Sequence, residues 1–426
     1  MTEGVLGHET LLLVMGVQSE RLDARALRDD FPVLDREFDG TPLVYLDNAA
    51  TSQTPEQVVE SITDYYYSYN ANVHRGIHNL SQEASIAYEE AHDTVGEFVG
   101  TDKREEIIFT KNTTEAMNLV AYAWGLNELG PGDEVVLTEM EHHASLVTWQ
   151  QIAKRTGAEC KYVPITEDGY LDMDAARELI TDDTAMVSVV HASNTLGTVN
   201  PVRELGEIAH DHGAYIFVDG AQSVPPRPVD VKDLDCDFFA FSGHKMCGPT
   251  GSGVLYGKEH VLEAMEPYLY GGDMILKVTF EDSEWNELPW KFEAGTPSIV
   301  QGIALAEACE YLNEVGLDRI HRHTRELARY AYEELTATDD VEVYGPPADD
   351  RGPLVAFNVD SVHAHDLASI VNDSGVAIRA GDHCTQPLHD VLGATASARA
   401  SFYLYNTKEE VDKLVEALDA ARELFA

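Results

Sequence analysis

Short apolar runs and amphipathic stretches alternate along residues 58–256 of the chain. The runs EIIF, EVVL, MVSVV, YIFVD and GVLYG are rich in β-branched and aromatic residues, which is typical of buried strands. The stretches between them, such as TTEAMNLVAYAWGL and VRELGEIAHDHG, have helical spacing, and Gly213 at the end of the second suits a helix C-cap. This alternation predicts an α/β fold in which helices cover both faces of a mostly parallel sheet.

The pattern changes around residues 293–301, where the long helical stretch IALAEACEYLNEVG begins. From residue 351 onward, the runs PLVAFNV, GVAIRAG and ARASFYLY predict strands, and a closing helix starts at Lys408. In this helix an apolar stripe is formed by Val411, Leu414, Val415, Leu418 and Leu424. These elements predict a second, smaller α+β domain.

We therefore expect the chain to have four parts: a disordered leader (1–20), an N-terminal segment that packs with the small domain (21–45), the large domain (46–298) and the small domain (299–426). The leader differs in character from the rest, and the start is at Met1 or at Met15. Its apolar run LLLVM is too short to span a bilayer and lacks the basic flank of a signal peptide. We accordingly predict a cytoplasmic protein.

The chain carries 75 acidic and 29 basic residues, which gives a formal net charge of −46. Such a surface repels nucleic acid phosphates and anionic lipid headgroups, so neither nucleic acid nor a membrane is predicted as a partner. The acidic residues are spread along a chain with strong apolar periodicity, which argues against an acidic tail. Scarce lysine supports an origin in a salt-rich cytoplasm, where charge repulsion is screened within ~3 Å at 1 M salt.

The chain has an odd number of cysteines and no C-x-x-C pair; they are Cys160, Cys236, Cys247, Cys309 and Cys384. This pattern argues against a disulfide framework and against a cysteine-rich zinc site. Two adjacent histidines such as His142 and His143 rarely bind the same metal ion, and no third ligand is evident. No metal site is predicted.

Lys245 lies in the segment FFAFSGHKMCGPTGSG, between an apolar run and a glycine-rich turn. The segment is not a P-loop, because Val254 follows its last glycine, and its glycine spacing does not match a dinucleotide fingerprint. Ordinary turn chemistry explains the glycines but not the lysine. A buried lysine is a nucleophile that can form a Schiff base, the usual anchor of pyridoxal phosphate, although this segment alone also fits a purely structural lysine.

Three further segments carry polar residues at predicted strand ends and at a helix start. Asp219 ends the strand in YIFVDGAQS, where a carboxylate suits a protonated pyridine nitrogen or caps the next turn. In TKNTTEAMNLVA, Thr113 and Thr114 begin a helix, which is a phosphate site or a simple cap. His142, in EMEHHASLVTW, suits a ring that stacks on a flat cofactor.

The segment AIRAGDHCTQPL presents Cys384 in a glycine-containing loop beside His383. A loop cysteine in such surroundings is a candidate nucleophile, whereas Cys309 lies inside an apolar helical stretch. Arg379 and Arg399 flank this loop in sequence, and an arginine fork suits a substrate carboxylate.

Taken in order, these segments resemble the fold-type I, class V pyridoxal phosphate enzymes, and among them the Suf-type (group II) cysteine desulfurases. The resemblance runs from about residue 30 to the C-terminus and is carried by YLDNAAT, NVHRGIH, TTEAMNLVA, EHHASLVTW, DGAQS, SGHKMCGPTG, FEAGTP and RASFYLYNT. It implies a large domain with a mostly parallel seven-stranded sheet, a smaller α+β domain that carries the cysteine loop, pyridoxal 5'-phosphate as cofactor, and a homodimer.

The resemblance also implies roles for individual residues. Lys245 holds the cofactor and moves the substrate α-proton, and Cys384 attacks the substrate sulfur to leave alanine and an enzyme persulfide. His142 stacks on the cofactor ring, Asp219 pairs with its pyridine nitrogen, and Gln222 meets its phenolic oxygen. The phosphate is bound by Thr113, Thr114, Ser242, His244 and, from the other subunit, Thr296. Substrate is bound by His74, Asn194, Arg379 and Arg399, and Asn194 also contacts the cofactor.

The implied reaction converts L-cysteine to L-alanine and supplies sulfur for iron–sulfur cluster assembly, through a SufE- or SufU-like acceptor or directly to a SufBCD scaffold. A selenocysteine lyase and an aminotransferase of the same fold are the alternatives; in the aminotransferase, Cys384 would be idle. Asp382 departs from the pattern, which commonly has a second histidine there. We expect its carboxylate to disfavour a thiolate at Cys384, and a protonated His383 would offset this effect.

Overall fold

The computed structural model describes residues 21–360 and 362–425. The predicted leader lies outside the described residues, as does the side chain of Leu424. Within the described part of the chain, no helix is long and apolar enough to span a bilayer.

The strands are β1 Glu37–Phe38, β2 Thr41–Pro42, β3 Val44–Tyr45, β4 Ile107–Thr110, β5 Glu134–Thr138, β6 Glu159–Val163, β7 Thr184–Val190, β8 Tyr215–Asp219, β9 Phe238–Ser242, β10 Gly253–Gly257, β11 Ile275–Val278, β12 Ser283–Trp285, β13 Val341–Tyr344, β14 Leu354–Val359, β15 Val376–Ala377, β16 Arg379–Gly381 and β17 Ser397–Ser401.

The α-helices are α1 Ala24–Leu27, α2 Glu56–Asp64, α3 Asn79–Phe98, α4 Thr113–Val120, α5 Leu126–Glu128, α6 His143–Thr156, α7 Met173–Leu179, α8 Val202–Asp211, α9 Val231–Leu234, α10 Glu259–Ala264, α11 Ile299–Val315, α12 Leu317–Thr336, α13 Ala364–Asp373, α14 Gln386–Val391 and α15 Lys408–Phe425.

A seven-stranded sheet forms the centre of the fold, in the order β4-β10-β9-β8-β7-β5-β6. Strands β5 to β9 pair in parallel, whereas β10 is antiparallel to both of its neighbours. The prediction of an α/β fold with a mostly parallel sheet is therefore confirmed.

Burial on both faces explains why these strands are apolar throughout. Every residue of β9 is buried, and its phenylalanines alternate between the two faces. Phe239 and Phe241 belong to one hydrophobic cluster, whereas Phe238 packs in a second cluster with Phe217 and Trp149. Because β7, β8 and β9 run in parallel, the polar residues that follow them lie at one edge of the sheet.

A second, antiparallel sheet has the order β13-β14-β17-β16. It packs in a separate hydrophobic cluster with α12, α13 and α15, to which Leu327, Leu367 and Leu414 contribute. The N-terminal segment contacts this region: β3 pairs in parallel with β15, and Arg28 forms an ion pair of 2.8 Å with Glu410. The division into a large domain over 46–298 and a small domain over 299–426 remains our proposal.

Candidate active site

A cavity of about 290 Å³ lies beyond the carboxyl ends of β7, β8 and β9. Ligands gather at this edge in open α/β sheets. The cavity brings together twelve of the residues predicted from the sequence: Thr113, Thr114, His142, Asn194, Asp219, Gln222, Ser242, His244, Lys245, Arg379, Cys384 and Arg399. They come from segments that are widely separated in the chain.

The N-terminus of α4 forms one end of the cavity. Asn112 caps the helix through Oδ1, which accepts the N–H of Glu115 at 2.9 Å. Ser242, the last residue of β9, accepts the N–H of Thr113 at 2.9 Å. Gly253 permits this close approach, because a Cβ there would lie 2.5 Å from the Cα of Asn112. Hydroxyls and the positive end of a helix thus meet in one cup, which suits a phosphate.

Lys245 follows β9 on a single turn of 3₁₀ helix, and its side chain is half-buried in the cavity wall. Burial lowers the pKa of its amine to about 8, although the charge of Asp219 opposes this shift. No residue in the described part of the chain accepts a hydrogen bond from its Nζ. The amine is therefore available to a ligand. About a tenth of it is uncharged at pH 7, far more than for an ordinary lysine.

Asp219 is buried at the end of β8, 3% exposed, and its Oδ1 accepts the N–H of Ala221 at 2.9 Å. Burial raises the pKa of this carboxyl, and the charge of Lys245 opposes the rise. A cationic ring nitrogen placed beside Asp219 would compensate the buried charge. Gln222, three residues later, donates from Nε2 to the carbonyl oxygen of Ala49 at 2.7 Å.

His142 caps α6, with its Nδ1 accepting the N–H of Ala144 at 3.0 Å. Because Nδ1 is an acceptor, the proton of the neutral ring is on Nε2. Burial, with the nearby charge of Lys245, lowers the pKa of His142 to about 4. The ring is therefore uncharged at neutral pH and suits stacking on a flat cofactor. Burial and Lys245 likewise lower the pKa of His244 to about 4.

An arginine pair, Arg379 and Arg399, also lines the cavity. Arg399 is 2% exposed, and its NH1 donates to the carbonyl oxygen of Asn194 at 2.8 Å. Asp47 joins the pair: its carboxylate accepts bonds of 3.0–3.2 Å from Arg379 and one of 3.4 Å from Arg399. Nε of Arg399 and Oδ1 of Asn194 are buried without a partner. A substrate carboxylate would satisfy that unpaired guanidinium nitrogen.

The loop of Cys384 adjoins the arginine pair through Asn194, and Cys384 is exposed and lines the cavity. Three hydrogen bonds hold the loop. Nδ2 of Asn194 donates to the carbonyl oxygen of His383 at 2.7 Å. His143 makes the other two: its backbone N–H donates to the carbonyl oxygen of Cys384 at 2.8 Å, and its Nε2 accepts the N–H of Gln386 at 3.0 Å. His383 and Cys384 both have a left-handed backbone, with φ of 50° and 60°. The loop is strained and depends on these contacts.

The structure corrects the expectation that a protonated His383 acts beside the thiol. The Nε2 of His383 bonds to Oγ of Ser397 at 3.0 Å, and burial together with the charge of Arg399 lowers its pKa to about 2. His383 is therefore neutral. Asp382 has a structural contact as well, since its Oδ1 accepts the N–H of Cys384 at 3.0 Å.

Two predicted residues do not line this cavity. His74 lines a neighbouring cavity with Pro297 and Trp290, and its ring lies 4.4 Å from that of Trp290. Thr296 is exposed in the turn that precedes α11. Its predicted partner is a cofactor bound by another subunit, and the roles of both residues remain proposals.

Sequence analysis assigned no role to Asp47 and no contact to His143. Asp47 directly follows the apolar run LVYL. A carboxylate directly after such a run could have indicated a polar residue at a strand end, near the site. For His143 no signal existed, because its partners lie more than two hundred positions away, at Cys384 and Gln386.

The cavity residues fit pyridoxal 5'-phosphate. A free amine, a buried carboxylate and a neutral imidazole line the cavity together with the cup of Thr113, Thr114 and Ser242. These are the groups that the aldehyde, the pyridine nitrogen, the ring face and the phosphate of this cofactor require.

Comparison with known proteins shows the family of the chain. Residues 44–414 match the family model described as aminotransferase class-V. The chain is 71% identical over 406 residues to a probable cysteine desulfurase of Halobacterium salinarum, covering 95% of this chain and 98% of the relative. It is 68% identical over 422 residues to a cysteine desulfurase of Haloferax volcanii, covering 96% and 99%.

Among solved structures, the apo cysteine desulfurase of Thermococcus onnurineus superposes with a TM-score of 0.89 at 41% identity, covering 95% of this chain and 98% of that one. The predicted family and fold class are confirmed by these matches. The chain belongs to the aminotransferase class-V family, in the branch whose members are named cysteine desulfurases.

Proposed function

We propose that this chain is a pyridoxal phosphate-dependent cysteine desulfurase, which converts L-cysteine to L-alanine and retains the sulfur as a persulfide on Cys384. One observation carries the proposal: the exposed thiol of Cys384 lines the same cavity as the free amine of Lys245 and the buried Arg399. The relatives named above support it over nearly the whole chain.

The cofactor, when bound, supplies an electron sink that labilises bonds at the α and β carbons of an amino acid. Arg399 and Arg379 bind and orient the substrate carboxylate, and Asp47 fixes the direction of both guanidinium groups. Lys245 is suited to move the α-proton, because its amine changes protonation near pH 8. Asn194 positions the thiol loop through the carbonyl oxygen of His383.

Sulfur transfer takes place at the thiol of Cys384. Its sulfur, as thiolate, attacks the sulfur of the substrate, so an S–S bond forms and the bond between the substrate sulfur and its carbon breaks. The electron pair of that bond stays with the carbon, which takes up a proton, and alanine leaves. Cys384 retains the persulfide, which a thiol or an acceptor protein then removes.

The chain acts on L-cysteine and passes sulfur to an acceptor. We further propose that the acceptor is a SufE- or SufU-like protein, or a SufBCD scaffold, and that the sulfur serves iron–sulfur cluster assembly. We place the protein in the cytoplasm of a halophilic archaeon, which its net charge of −46 and its similarity to the Halobacterium chain support.

We also propose a homodimer in which Thr296 of one subunit reaches the phosphate held by the other. Exposed apolar side chains on the part of the chain that carries Thr296, among them Tyr270 and Phe280, support an interface there.

The decisive experiment is incubation of the purified protein with L-cysteine and a reducing thiol, with assays for both alanine and sulfide. Wild type is expected to produce the two in equal amounts, and Cys384→Ala is expected to produce neither above background. Cys247→Ala is the matched control, since this thiol is buried and burial raises its pKa to about 12. Equal alanine and sulfide production by Cys384→Ala and wild type would contradict the proposal.

A further inference from the structure

A second cavity, of about 390 Å³, adjoins the candidate active site but is distinct from it. It lies between the segment that follows β8, the start of α12 and the turn before β14. One residue, Gln222, lines both cavities. Gln222 is the one residue with a predicted functional role that also lines this second cavity.

The wall of this second cavity contains an arginine without an anionic partner. Arg227 is half-buried, and its NH2 donates to Nε2 of His191 at 2.6 Å. No carboxylate in the described part of the chain lies within ion-pair distance of Arg227. In a chain with 75 acidic and 29 basic residues, a half-buried guanidinium without a carboxylate partner is unexpected, because desolvating an unpaired charge is costly.

The partner of Arg227 does not relieve this charge. Because a guanidinium only donates, Nε2 of His191 must accept, and the ring proton is therefore on Nδ1. His191 is buried, 7% exposed, and its Nδ1 has no hydrogen-bond partner. Burial, followed by the charge of Arg227, holds the pKa of His191 well below its usual range.

A second guanidinium faces the same cavity. Arg325 lines it from α12, beside the imidazole of His321. Burial, and then the charge of Arg325, lowers the pKa of Arg227 to about 10. The pKa of His321 is lowered by burial and next by the charges of Arg227 and Arg325, so like charges repel one another across the cavity.

Asp349 and Asp350 also line the wall and their charges oppose an anion, but each has a contact other than Arg227. Oδ2 of Asp350 accepts the hydroxyl of Tyr170 at 2.6 Å, and Oδ1 of Asp349 lies 4.0 Å from Arg329. A third guanidinium on the wall, that of Arg351, donates to the carbonyl oxygens of Pro346 and Tyr344 and is already satisfied.

We propose that this second cavity is a binding site for a small oxyanion, a carboxylate or a phosphate, that accepts hydrogen bonds from the guanidinium of Arg227 and is attracted by Arg325. A planar fork that donates in parallel matches two oxygens of one such anion. The volume admits an anion larger than chloride. Chloride, as a single atom, cannot accept two parallel hydrogen bonds on separate oxygens as these anions do. The site does not depend on the proposed desulfurase activity.

The test is calorimetric titration of the full-length, cofactor-loaded protein with inorganic phosphate and, separately, with acetate, at a constant molar concentration of potassium chloride. The loaded protein is used because its cofactor already occupies the phosphate cup. Arg227→Gln is expected to weaken binding roughly 10-fold or more, since hydrogen bonds to charged groups are worth about 1.5–3 kcal/mol. Tighter binding of phosphate than of acetate would identify a phosphate ligand, and the reverse a carboxylate.

Two further variants complete the test. Arg325→Gln changes an exposed residue on α12 and keeps the fold, and it is expected to weaken binding several-fold through the lost charge. Arg203→Gln is the matched control, because Arg203 is exposed, pairs with Glu207 and lies away from the cavity; it is expected to bind as wild type does. Unchanged affinity in both Arg227→Gln and Arg325→Gln, or no binding of either anion by wild type, would overturn the proposal.

Discussion

His143 is hydrogen-bonded at two points to the loop that carries Cys384. Its backbone N–H donates to the carbonyl oxygen of Cys384 at 2.8 Å, and its ring Nε2 accepts the N–H of Gln386 at 3.0 Å. The thiol loop is thus tied to the start of α6, the helix that His142 caps beside the cavity. Since the loop contains two left-handed residues, these bonds counteract its tendency to relax.

We predict that His143→Ala slows alanine formation roughly 3- to 10-fold while the KM for L-cysteine stays near the wild-type value. The variant loses one hydrogen bond, worth about 0.5–1.5 kcal/mol, from the loop and leaves the arginine pair intact. Steady-state kinetics with an alanine assay measure both parameters. His143→Gln offers another acceptor and is expected to recover part of the rate, and His212→Ala, a surface histidine paired with Asp182, is the control. A His143→Ala rate equal to wild type would show that the ring does not position the loop.

A second prediction concerns the amine that holds the cofactor. Wild-type protein should be yellow after incubation with pyridoxal phosphate, and borohydride should fix the cofactor to the peptide that contains Lys245. Lys291 is a stringent control, because it is also buried and burial also lowers its pKa, but its Nζ donates to the carbonyl oxygens of Leu262 and Glu263. Lys245→Ala should stay unlabelled and Lys291→Ala should be labelled. Label on any other lysine would show that the anchor is misassigned.

The pH dependence of cofactor uptake follows from the environment of Lys245. Only the neutral amine attacks an aldehyde, and its fraction increases as pH rises through the pKa, which burial lowers to about 8. The rate of uptake by the apo-protein should therefore rise with pH and level off above about 8. Stopped-flow absorbance at constant molar salt gives this profile. A rate that keeps increasing to about pH 10, as expected for an ordinary lysine, would contradict the assigned burial.

Asp382 supports the turn of the thiol loop through its Oδ1, which accepts the N–H of Cys384. Asp382→Asn keeps an acceptor oxygen and removes the charge, whereas Asp382→Ala removes both. We predict that iodoacetamide alkylates Asp382→Asn faster than wild type at lowered salt and at the wild-type rate in molar salt, where the repulsion between the carboxylate and a thiolate is screened. Asp382→Ala should lose about 3- to 10-fold in alanine formation, comparable with the loss of a helix cap. Equal alkylation of Asp382→Asn and wild type at lowered salt would show that the charge does not act on the thiol.

The acidic surface predicts that folding depends on salt. With 75 acidic and 29 basic residues, repulsion opposes the compact state, and the screening length falls from ~30 Å at 0.01 M to ~3 Å at 1 M. The melting temperature and the activity should both rise steeply with potassium chloride. Calorimetric scans between about 0.1 M and 2 M salt measure the effect. A melting temperature that is flat over this range would argue against a halophilic origin.

The sequence by itself determined the α/β alternation, because burial on both faces of a parallel sheet demands unbroken apolar strands such as β9. The sequence also indicated Lys245, Asp219 and Cys384 as candidates. Each lies at or near the end of a predicted strand or in a short loop, and the local sequence pattern shows such positions. The ordered set of segments then indicated the family, which the comparisons confirmed.

Only the tertiary structure decided which distant groups meet. Asp47 binds Arg379 across 332 positions, and no carboxylate of the described residues lies within ion-pair distance of Arg227, although acidic residues are abundant in the chain. The directions of Asp382 and His383 also followed from the turn and from Ser397, not from their adjacency to Cys384. The physical reason is that side-chain direction and long-range pairing depend on how the sheets and loops pack, and local periodicity does not encode that packing.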